Sequence, residues 1–116
     1  MKIIKENIEE IFRLTGYDPK GKYEDSQLNS LFNGFCVFEE KENEIIDAAG
    51  LSLSEVLYSK YYWFSMLKAC MNKIYGEDAG LAQQQFKIIE EIMQKTGETD
   101  WRLLEEIEQY AKPPLS

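Results

Sequence analysis

The chain has 116 residues, with 13 basic against 21 acidic side chains for a net charge of −8, and it is 44% hydrophobic. A chain of that length buries about two-thirds of its unfolded surface and is too apolar for disorder, so one self-folding domain over residues 1–116 is expected. The acidic balance repels phosphate backbones, and the absence of histidine removes the commonest general base, metal ligand and pH switch, excluding many enzyme classes.

In MKIIKENIEE acids arrive before an apolar leader forms, and no later stretch approaches the roughly 18 uncharged residues of a membrane span. The expected location is the cytoplasm, or the host cytoplasm for a phage-encoded chain. Ile4, Ile8, Ile11 and Phe12 recur at helical spacing opposite Lys5, Glu6, Glu9, Glu10 and Arg13, which predicts a first amphipathic helix ending near Gly16. Residues 15–25 read as a loop. Asp25 or Ser26 then caps a short second helix carrying Leu28, Leu31, Phe32 and Phe35, interrupted near Gly34. A third, from Cys36 or Val37 to Ala49, turns Phe38, Ile45, Ile46 and Ala49 inward and stops at Gly50.

Ser52, with Glu55 three residues later, forms a capping box and starts a long helix from Leu53 to Tyr75. This helix is apolar almost all round, including Val56, Leu57, Tyr58, Tyr61, Trp63, Phe64, Met66 and Leu67. Such a helix must be enclosed by neighbours or by a second subunit. It is the expected centre of the fold, and a homodimer seam through Tyr58, Tyr61 and Tyr62 is one way to enclose it. Gly76 stops it, and Asp78 caps a fifth helix over 80–96 with Ala82, Phe86, Ile89, Ile92 and Met93 inward. Thr99 or Asp100 caps the last, where Trp101, Leu104, Ile107 and Ala111 form a stripe before Pro113 and Pro114. The fold class is therefore all-α, a bundle of five to six helices around the helix at 53–75. Cys36 and Cys70 lie in apolar settings and are expected as reduced core thiols.

Residues 44–60, EIIDAAGLSLSEVLYSK, have the order of a helix-turn-helix, with Ile45, Ala49, Gly50, Leu51 and Val56 at the packing and turning positions. The side chains facing a duplex would be Ser52, Ser54, Glu55, Tyr58 and Ser59, with Lys60 the sole cation and five acids on the preceding helix. Phosphate contacts supply most of the binding energy in such complexes, so an ordinary helical corner is expected, with a helix-turn-helix-like regulatory domain as the alternative. Glu40, Glu44 and Asp47 fall at i, i+4 and i+7, a carboxylate ladder that superficially resembles the Mg²⁺ ligands of helical pyrophosphohydrolases. The chain has Glu44-Ile-Ile-Asp47 but no Glu-Glu-x-x-Glu, positions 43, 94 and 109 being Asn, Gln and Gln. A Mg²⁺-dependent all-α hydrolase is thus a third reading.

Residues 39–55 carry six acids against Lys41, and residues 88–110 carry seven against Lys95 and Arg102. Acidic surfaces on a rigid scaffold imitate phosphate spacing and complement a basic groove on another protein. The expected function is non-enzymatic binding to a protein with a basic surface. One form is a small acidic inhibitor of a nucleic-acid-handling protein, the strategy of phage and mobile-element proteins such as anti-CRISPR-like inhibitors, which is an analogy. The expected partner-binding residues are Glu39, Glu40, Glu42, Glu44 and Asp47, with Tyr58, Tyr61 and Tyr62. No catalytic residue, metal or cofactor is expected, and no direct contact with nucleic acid or membrane.

Overall fold

The computed structural model describes residues 2–15, 25–76 and 80–111. Within them lie α1 (Lys2–Thr15), α2 (Asp25–Glu40), α3 (Glu42–Ala49), α4 (Leu53–Tyr75), α5 (Leu81–Thr96) and α6 (Trp101–Tyr110). No strand occurs among the described residues, so the fold is an all-α bundle, and none of these helices is long and apolar enough to cross a membrane.

The capping box sets the start of α4 as its sequence predicts. Ser52 Oγ accepts from the Glu55 N–H at 3.2 Å, and the Glu55 carboxylate accepts from the Ser52 N–H at 3.3 Å. The same carboxylate accepts from the Asn7 side chain at 2.7 Å, tying α1 to this helix end. Before it, Gly50 stands at φ 64° and ends α3, a left-handed conformation that costs a residue with a Cβ more than glycine.

The 23 residues of α4 rise about 34 Å at the helical pitch, close to the longest molecular extent of 36 Å. It packs against all five other helices. Twelve of its residues are buried, Trp63 at their centre with no exposed surface. The rings of Phe12 and Phe38 meet Trp63 edge-on at centroid distances of 5.0 and 5.8 Å. Neighbouring helices of the same chain thus cover much of α4, one of the two forms of enclosure that its apolar sequence allows.

The neighbours of α4 fall into two groups. Helices α1, α2 and α3 pack on one another as well as on α4, whereas α5 and α6 each pack on α4 and not on each other or on α1 to α3. Each of these last two helices thus keeps free flanks.

Four sequence expectations need correction. First, α2 runs unbroken through Gly34, which is itself buried. A helical glycine costs about 1 kcal/mol, and the burial of Leu31, Phe35 and Phe38 around it offsets that. The break comes at Lys41, where the bonds Lys41 N–H to Val37 O (2.9 Å) and Ile45 N–H to Lys41 O (2.8 Å) carry the chain through a bend. Second, Cys36 is exposed while Cys70 is buried, because the inward face of α2 is set by Leu31, Phe35 and Phe38 and position 36 lies about 100° round from it. Third, α5 buries Leu81, Gln85, Ile88, Ile89 and Ile92, leaving Phe86 and Met93 exposed. Fourth, Trp101 is exposed although Leu104, Ile107 and Ala111 behind it are buried.

The cap of α6 is Asp100, whose carboxylate accepts from the N–H groups of Arg102 and Leu103 at 3.1 and 3.2 Å. The residue before α5 is Gly80, without a side-chain cap bond. Asp78, Pro113, Pro114 and most of the expected 15–25 loop lie outside the described residues, as do the side chains of Ile4, Asp25 and Ser26.

Candidate functional site

The five acids singled out from the sequence separate into two groups. Glu40, Glu44 and Asp47 are exposed around the α2–α3 bend. Glu39 and Glu42 turn toward α4 and α5, where Lys60, 8% exposed, lies between helices. Its Nζ is 3.4 Å from Glu91 Oε2 and 3.9 Å from Glu39 Oε2, and Lys95 adds a 2.9 Å bond to Glu91. Burial raises the Glu91 pKa, but the bonds and fields of Lys95 and Lys60 outweigh it and hold the carboxyl below its ordinary value. One Glu42 oxygen is buried without a hydrogen-bond partner. Glu39 is exposed but reaches Lys60 at the margin of an ion pair, and Glu40, Glu44 and Asp47 form the rest of the outward acidic strip.

The tyrosines are placed differently from the surface seam expected of them. Tyr58 and Tyr61 are buried and Tyr62 is half-buried against the core. The Tyr58 hydroxyl accepts the Asp100 N–H at 2.9 Å and the Tyr61 hydroxyl donates to Glu108 at 2.8 Å, so both fasten α6 to α4. Burial, followed by the adjacent Glu108 carboxylate, pushes the Tyr61 pKa well above the usual phenol value. The reason is that Tyr58 and Tyr61 lie on the sides of α4 that other helices of the chain cover, whereas Tyr62 is half-buried and Tyr75 is exposed.

The α3–Gly50–α4 pair does form a helical corner. Of the residues that would face a duplex, Ser52 is exposed and Ser54 and Glu55 half-exposed, whereas Tyr58, Ser59 and Lys60, the sole cation, are buried. Among the described residues, Glu40, Glu44 and Asp47 are not part of any three-ligand group able to hold a metal ion.

The surface feature that sequence reasoning missed lies between α5 and α6. Because these helices meet α4 but not each other, a groove of about 230 Å³ opens between them. Its floor is the buried Tyr61, Ile89 and Leu104, and its lips are Phe86 and Trp101, 63% and 59% exposed. Glu105 and Glu108 line it on the α6 side and Lys68 on the α4 side. Of the seven large hydrophobic side chains exposed among the described residues, four (Phe86, Met93, Trp101 and Tyr110) belong to α5 and α6. Such aromatic and Met side chains are enriched at protein interfaces. The sequence held one clue: α5 has more apolar residues than one face needs, with Ala82, Phe86 and Met93 in a second stripe.

A second groove, about 460 Å³, lies on the other side of α5 against α2, lined by Phe32, Phe64, Ile88 and the Glu39–Lys60–Glu91 bridge. Comparison of the chain with protein-family models, curated proteins and solved structures finds no match, so its chemistry is read from its own residues.

Proposed function

We propose that this chain is a non-enzymatic binding domain that docks on a basic surface of another protein. The observation that supports this reading best is the α5–α6 groove, where exposed Phe86 and Trp101 stand beside the carboxylates of Glu105 and Glu108. A face that served solubility alone would carry the charges without the exposed aromatics. The strip of Glu40, Glu44 and Asp47 supplies a second anionic surface on the same rigid scaffold, suited to a groove that ordinarily holds phosphates. The partner class that follows is a nucleic-acid-handling protein, inhibited by occupation of that groove.

The test is affinity capture from a cytosolic extract with the wild-type chain, with Glu40→Lys/Glu44→Lys/Asp47→Lys, and with Phe86→Ser. The expected result is a partner with a basic surface, retained less as salt rises, lost from at least one variant, and displaced from its own nucleic acid by the wild-type chain. A partner retained equally by all three proteins across salt concentrations would remove the reading. So would a purified chain that shifts duplex DNA directly, which would revive the helix-turn-helix alternative.

A further inference from the structure

Resting on that reading, we infer that the occupant of the α5–α6 groove is a cationic amphipathic helical segment of the partner, with one large apolar side chain seated between Phe86 and Trp101. The dimensions of the groove favour a side chain over a free ligand. Its volume of about 230 Å³ is below the roughly 300–1,000 Å³ of small-molecule sites, yet its floor of Tyr61, Ile89 and Leu104 is apolar enough to receive an aliphatic or aromatic anchor. The ten residues of α6 rise about 15 Å, enough to flank two to three turns of a docked helix.

Charge fixes the sign of the segment. Glu105 and Glu108 line the groove, and the loop and helix around them add Glu98, Asp100 and Glu106 against Arg102. Lys68 stands at the α4 side of the same groove, so the segment's cations belong along α6, away from α4. A second copy of this chain is a poor occupant, since a protein of net charge −8 would bring like charges to an acid-lined groove. Nucleic acid and anionic lipid are disfavoured for the same reason.

The chain carries its own reporter. Of its two tryptophans, Trp63 is fully buried and Trp101 is 59% exposed on the groove lip, so a change in solvent-accessible tryptophan emission reads occupancy. The probe is a synthetic Leu/Lys peptide with Leu at helical i, i+3, i+4 spacing, compared with oligolysine, which lacks the anchor, and with a Leu/Glu peptide, which lacks the charge. The Leu/Lys peptide is expected to shift Trp101 emission to the blue, shield it from iodide, and bind about tenfold or more tightly than either control. Phe86→Ser should weaken that binding by a similar factor with circular dichroism unchanged, and Glu105→Lys should flatten its salt dependence.

Trp101 emission that stays fixed while calorimetry records binding would overturn the groove assignment. If Glu40→Lys/Glu44→Lys/Asp47→Lys then abolished binding, the basic-partner reading would survive it. Equal binding of the Leu/Lys and Leu/Glu peptides overturns the charge argument. A concentration-dependent dimer in light scattering that Phe86→Ser dissolves would make the occupant a second copy and overturn the proposal.

Discussion

The indole N–H of Trp63 donates to the main-chain oxygen of Leu31 across 3.1 Å, joining α4 to α2 between residues 32 positions apart. The bond is buried, and the Trp63 ring is packed between those of Phe12 and Phe38. Trp63→Ala removes the bond and leaves a cavity at the centre of the bundle, at an expected cost of about 3–5 kcal/mol in urea unfolding. Trp63→Phe should cost less, because the ring contacts remain. An alanine variant that melts with the wild type would show that the core is not organised around this side chain.

Lys60 offers a contrast between a polar and an apolar solution to the same position. Its ammonium is held between Glu91 and Glu39, and replacing a buried ion pair by an apolar side chain is often neutral, whereas removing one partner is costly. Because Glu91 is 29% and Glu39 52% exposed at the side chain, solvent reduces both effects. Lys60→Met is expected to change stability by less than about 1 kcal/mol, and Glu91→Ala to cost more than Lys60→Met. The reverse order in chemical denaturation would mean that the lysine is retained for its charge.

Alkaline stability should report on Tyr61. Burial first, and then Glu108, hold its phenol above the ordinary value near 10. The folded state therefore binds that proton more tightly than the unfolded state. The stability it contributes is complete below pH about 10 and is lost as pH rises toward the folded-state value. Tyr62, raised by burial and then by Tyr110, adds to the same loss. Tyr61→Phe should make the fall in stability above pH about 10 shallower. An identical alkaline unfolding profile in the variant would place the loss elsewhere.

At the acid end the sign reverses. The Glu55 carboxyl is lowered chiefly by the hydrogen bond from Asn7, with Ser52 contributing, so the unfolded state binds its proton more tightly. The stability it gives is present above the ordinary carboxylate value of about 4 and is lost as pH falls through the folded value. Glu91 acts in the same direction. Ser52→Ala should cost about 1 kcal/mol at neutral pH through the lost cap, and Glu55→Gln should reduce the acid dependence. A Glu55→Gln protein with an unchanged acid midpoint would count against the Asn7–Glu55 link.

The cysteines should differ in reactivity by location alone. Cys36 is exposed on α2 and Cys70 buried in α4. A thiol reagent is expected to label one site per native chain quickly, and the second only under unfolding conditions. Equal rates at both would mean that α4 opens far more often than its burial implies.

Most of the local events of this fold are written in neighbouring residues, although the α2–α3 break at Lys41 is not. A bundle of five to six helices, the capping box at Ser52 and Glu55, the stop at Gly50 and a cap at Thr99 or Asp100 were legible, because each depends on residues within a turn or two of one another. The sequence also identified α4 as the central element, since a helix without a polar face has no other place. Tertiary structure decided which of several apolar residues turn inward. Phe86, Met93 and Trp101 had apolar periodicity in their favour, yet the packing of α5 and α6 on α4 alone leaves them in solvent, while Tyr58 and Tyr61 are drawn into the core. Lys60 likewise reads as a surface cation, yet the fold buries it beside Glu91 on α5, 31 positions later in the chain. Periodicity fixes the faces of a helix, but the number and placement of its neighbours fix which faces are covered, and those neighbours are set by contacts far apart in sequence.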